Sequence, residues 1–96
     1  MGAGLAALAM ARPGLSPTAR LVLTRMALTA HDTDLEPVYW AGWEFLATQG
    51  LGYRTYTPAA KLAVARATAE LQAADCLKVR RSGRPGNRAE YVLTLH

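Results

Sequence analysis

Lys78, Arg80, Arg81, Arg84 and Arg88 crowd around the turn Gly83-Arg84-Pro85-Gly86-Asn87 near the end of this 96-residue chain. Guanidinium and ammonium groups in such close succession make ion pairs with phosphates, chemistry that places a protein on a polyanion rather than breaking a bond. The residues that could do covalent work are scattered. Cys76 stands alone, His31 and His96 are isolated, and no glycine loop of the phosphate-cradling kind is present. Asp32, Asp34 and Glu36 beside His31 come nearest to a metal set. They lack calcium-loop spacing, and a solvated acidic loop after a helix explains them as well. The expectation is therefore a binding protein, not an enzyme, with no cofactor and no metal.

Charge is unevenly placed. Up to Tyr53 there are three basic residues against four acidic; from Arg54 onward there are eight basic against three acidic, within an overall net charge of +4. A field concentrated on one half attracts a polyanion and orients it. A hydrophobic fraction of 51% is ample for one core in one domain. A single cysteine makes no intrachain disulfide, so the cytoplasm is the default compartment. The apolar start from Met1 to Arg12 has no basic stretch ahead of it and is too short to span a bilayer. Residues 1–15 are accordingly expected as a flexible or weakly helical tail ended by Pro13-Gly14, and residues 16–96 as the domain.

Three helices and a hairpin must position the cations. Ser16-Pro17-Thr18 opens the first confident helix, with serine as cap and proline at a position whose N–H has no partner anyway; it runs to about Ala30. Its apolar residues cover most of the circumference, so it is either central in the domain or has a second face for self-association. Val38-Tyr39-Trp40 reads as a short third strand for the hairpin's sheet. A helix from about Ala41 to Gln49 follows, with Gly50 as its left-handed terminator and its tryptophans expected mainly in the core. Thr57-Pro58 repeats the cap-then-proline start for a helix reaching Ala74 or Asp75. At 100° per residue Ala60, Val64, Ala67, Leu71 and Ala74 form its buried stripe, opposite Lys61, Leu62, Ala65, Arg66 and Ala69. Strands from Leu77 to Ser82 and Arg88 to Leu95 alternate with period two, which turns Leu77, Val79, Tyr91, Leu93 and Leu95 inward.

Helix, short strand, helix, helix, strand, basic turn, strand resembles a winged helix-turn-helix domain, an α+β fold that is mostly α. The stretch from Thr57 to Val79 is similar to that family's recognition helix running into the first wing strand. Glu70-Leu71-Gln72-Ala73-Ala74-Asp75-Cys76-Leu77 resembles a common ending of that helix, with Asp75 where glycine is frequent. The stretch from Leu15 to Leu23 and the entry Tyr39-Trp40-Ala41-Gly42 resemble small winged-helix proteins of actinobacteria and their phages. One departure is the connector from Gly50 to Thr57, longer than a standard helix-turn-helix turn.

The resemblance implies double-stranded DNA as partner. Lys61, Leu62, Ala65 and Arg66 would meet base edges; Arg54, Thr55, Tyr56 and Thr57 would meet phosphates; Arg81, Arg84 and Arg88 would reach phosphate or minor groove through the wing. A transcriptional regulator of a phage or mobile element is the leading expectation, and a replication or excision accessory protein is another. A homodimer through the first helix and the tail would lengthen the site read. The alternative is a protein interaction module that binds a host protein through the exposed face around Leu62.

Overall fold

The computed structural model describes residues 3–30, 37–81 and 89–94. Four helices and a small sheet follow in the order α1 (Ala3–Ala11), α2 (Pro17–Thr29), β1 (Val38–Tyr39), α3 (Trp43–Phe45) with a π-helical turn over Leu46–Gly50, α4 (Pro58–Ala73), β2 (Leu77–Arg81) and β3 (Glu90–Leu93). This is the mostly helical α+β arrangement expected, with a C-terminal hairpin, and Val38-Tyr39 does add a third antiparallel strand. The strand order is β1-β3-β2.

Both cap-then-proline starts form as the local chemistry requires. Ser16 Oγ accepts from the Ala19 N–H at 3.2 Å, and Thr57 Oγ1 accepts from the Ala60 N–H at 3.2 Å. Each hydroxyl satisfies one first-turn donor that the helix cannot pair itself. The Ser16 cap is completed from a distance. Glu70 of α4 accepts the Ser16 backbone N–H at 2.7 Å and its hydroxyl at 2.8 Å. In a capping box a glutamate three residues on reaches back to the cap's own N–H. Here Ala19 holds that place, and a carboxylate from another helix does the work, which clamps the start of α2 to the end of α4.

α2 is the central helix, with Ala19, Val22, Leu23, Met26 and Ala27 buried among α1, α4, β1 and the π-helical turn. The segment ahead of Leu15 contributes α1, whose Leu5, Ala6 and Ala9 are buried in the same core. Arg20 donates to the carbonyls of Met10 and Arg12 (2.7 Å to the latter), capping the end of α1 just before Pro13. Arg12 in turn donates to the Ala74 carbonyl at the end of α4, at 2.8 Å. Two of the N-terminal half's three cations are thus spent on helix ends.

α4 stops in a Schellman turn. The Cys76 N–H returns to the Leu71 carbonyl at 2.9 Å and the Asp75 N–H to the Gln72 carbonyl at 3.1 Å, with Asp75 at φ 58°. That left-handed position is why glycine is frequent there; aspartate tolerates it better than most residues. The turn delivers the chain directly into β2 and buries the free thiol of Cys76.

Three details differ from the sequence-based expectation. Gly50 is not the left-handed terminator: the helix widens so that the Leu51 N–H reaches the Leu46 carbonyl at 3.0 Å, and the positive φ, 83°, falls at Gly52. Gly50 matters for closeness instead, since a Cβ there would lie 3.4 Å from Arg25 Cβ. The helix also begins later, at Trp43, because Gly42 turns the chain with φ 86°. Val79, expected inward, is 45% exposed although its register partner Tyr91 is buried. It lies on an edge strand, where the β-bulge between Val79 and Arg81 begins. Leu77, Tyr91 and Leu93 are buried as expected; Leu95 lies outside the described residues.

Candidate nucleic-acid interface

The face of α4 is set by helix geometry. With Lys61 at zero, Ala65, Ala69, Leu62 and Arg66 follow at about 40°, 80°, 100° and 140° around the axis. Val64, Ala67, Leu71 and Ala60 occupy the far side, where all four are buried. Lys61, Leu62, Arg66 and Ala69 are exposed and Ala65 is half-buried. The result is an open arc with an alanine floor, a cation at each edge and Leu62, 50% exposed, standing between them. Lys61 and Arg66 sit about 7.5 Å apart along the axis. Neither side chain makes a hydrogen bond or ion pair among the described residues.

Loop residues ahead of the helix divide into two groups. Arg54 and Thr55 are exposed. Thr57 is exposed too, and although its oxygen accepts from Ala60, its own proton remains available to an acceptor. Tyr56 differs from these three in exposure. It is half-buried, turned into a groove with Trp40, Trp43 and Phe45, and burial raises its phenol pKa, with the charge of Glu44 adding to the effect. The Tyr53 N–H donates to the Ala47 carbonyl at 3.1 Å, which ties the long connector to the π-helical turn.

On the hairpin, Lys78 and Arg80 are exposed on β2. Arg80 faces Glu90 across the ladder at 3.4 Å. Arg81 pairs with Glu90 in register, and the bulge between Val79 and Arg81 shifts the alternation before the turn. Arg84 and Arg88 lie outside the described residues. The expected interface is thus described for Arg54, Thr55, Thr57, Lys61, Leu62, Ala65 and Arg66, which occupy the α4 face and the loop leading into it.

Of the two tryptophans expected mainly in the core, Trp43 packs against it and Trp40 does not. Trp40 is 55% exposed, directly after β1, and Trp43 is half-buried with its indole N–H donated to the Tyr91 hydroxyl at 2.9 Å. Burial raises the Tyr91 phenol pKa, and that indole hydrogen bond offsets part of the rise. The groove was not anticipated from the sequence; its trace there is the spacing of Trp40 and Trp43, with Glu44 next in line. Among the described residues no group of acids, histidines and cysteines gathers as a metal set, and no helix is long and apolar enough to cross a membrane. In comparisons with protein-family models, curated proteins and solved structures, nothing matches this chain.

Proposed function

We propose that this chain is a winged-helix protein that binds double-stranded DNA in a sequence-specific way and serves as a transcriptional regulator of a phage or mobile element, by binding rather than by catalysis. The observation that carries the reading is the open arc of α4. Small side chains at its centre let a helix backbone lie deep in a major groove, and cations at both edges stand where the two groove walls present phosphates. Leu62, Ala65 and Ala69 then face base edges, where apolar side chains recognise the thymine methyl group. Lys61 and Arg66 set affinity more than sequence preference. Arg54 and Thr57 extend the phosphate contacts at the helix start, and Arg81, Arg84 and Arg88 supply the wing. A dimer through α1 and α2 fits this role because Leu8, Met10 and Leu21 are exposed there and one module reads only a short site.

Binding to mixed-sequence duplex, measured at low and moderate salt, tests the reading. Salt-sensitive retardation is expected, and Arg84→Ala with Arg88→Ala should weaken binding to all duplexes and flatten its salt dependence. Binding that ignores the double replacement removes the wing from the account. Exposed Leu62 favours a second reading, a module that docks on a host protein; a chain with no salt-sensitive affinity for any duplex would move the conclusion there.

A further inference from the structure

Residues just after β1, together with α3, the π-helical turn, the end of α2 and the loop before α4, enclose an open groove of about 700 Å³ that contains none of the α4 arc residues. That volume lies within the range of sites that hold a ligand group. Its walls include Trp40, Trp43, Phe45 and Tyr56, with Glu44 at the rim. All but Tyr56 come from the stretch Trp40–Phe45, and Trp43 is held in place by its hydrogen bond to Tyr91. The groove is therefore preformed, with Trp40 as its most open wall.

The composition selects the sign of the occupant. Aromatic faces carry negative charge and attract cations, arginine above all. Glu44 is exposed and makes no ion pair among the described residues. Phe45 already lies 6.0 Å from the Arg25 guanidinium, a contact of the same kind within the chain. A phosphate backbone is the wrong occupant, because the Glu44 carboxylate repels it. We propose that this groove receives an arginine or lysine side chain of a partner polypeptide, its charge beside Glu44 and its body against the indole of Trp40. The net charge of +4 works against adventitious capture of cationic peptides, so binding has to come from this local arrangement. The groove contains none of the residues of the α4 arc, and the proposal stands whether or not that arc binds DNA.

N-acetyl-arginine amide is the probe, titrated while the indole N–H signals of Trp40 and Trp43 are followed by NMR, with N-acetyl-citrulline amide as the neutral control of equal shape. Saturable shifts at both indoles are expected with the arginine probe alone. Trp40→Ala, read on Trp43, should weaken binding about fivefold, and Glu44→Gln about threefold. Both positions are exposed, so folding should persist, and an unchanged far-ultraviolet spectrum checks it. Equal responses to citrulline, no saturation up to about 10 mM probe, or shifts at both indoles produced instead by duplex DNA would each overturn the proposal.

Discussion

Replacing Lys61 and Arg66 together by alanine isolates the contribution of the α4 arc. Both side chains are exposed and unpaired among the described residues, so removing them should alter folding stability by no more than about 0.5 kcal/mol. Their effect on DNA binding can be worked out separately. Each phosphate neutralised on duplex DNA contributes about −0.9 to the slope of log affinity against log salt. Two edge cations therefore account for about −1.8. Between about 50 and 200 mM salt the parent should then lose ~12-fold more affinity than the double variant. Arg80 is left out of this count because it must first give up its contact with Glu90 at 3.4 Å. Fluorescence anisotropy of a labelled duplex across a salt series measures both slopes. The loss should be alike for different duplex sequences if, as proposed, the edge cations meet phosphates. A variant that stays folded and keeps the parental slope would refute the placement of α4 in the groove. A variant whose loss depends strongly on sequence would put those cations on bases instead.

Two further outcomes concern the frame. Glu70 has its pKa lowered, first by the Ser16 backbone N–H and then by the Ser16 hydroxyl. A depressed folded value means the stabilisation is present above the ordinary glutamate range and fades as pH falls through the folded value. Glu70→Gln should therefore destabilise at neutral pH, with the gap from the parent closing in acid; a gap that is constant with pH would show that the ionised clamp is not responsible. Asp75→Gly should stabilise by about 1 kcal/mol, because glycine relieves the left-handed strain and removes a carboxylate from the negative end of α4, less its own entropy cost. Thermal unfolding checks this, and a lower melting temperature would contradict the Schellman reading.

The face of α4 is legible in the sequence because it depends on one helix and one period. Ser16-Pro17 and Thr57-Pro58 announce their helices for the same reason: a cap hydrogen bond spans three residues and needs nothing from afar. Val38-Tyr39 and the alternation around Tyr91 and Leu93 likewise declare strands through side-chain type and period. Burial is another matter. Val79 has the period of an inward residue and is exposed, since inwardness also requires an element to lie over it, and Val79 sits on an edge strand beside a bulge. Trp40 has the size of a core residue, yet it follows the last residue of an edge strand and faces the groove. The Ser16–Glu70 clamp joins residues 54 positions apart. No local pattern encodes such a pairing. Short-range hydrogen bonding and periodicity thus dictate which elements form and which faces they offer. Which of those faces are covered, and which side chains from distant segments share a groove, follows only from how the elements stack around α2.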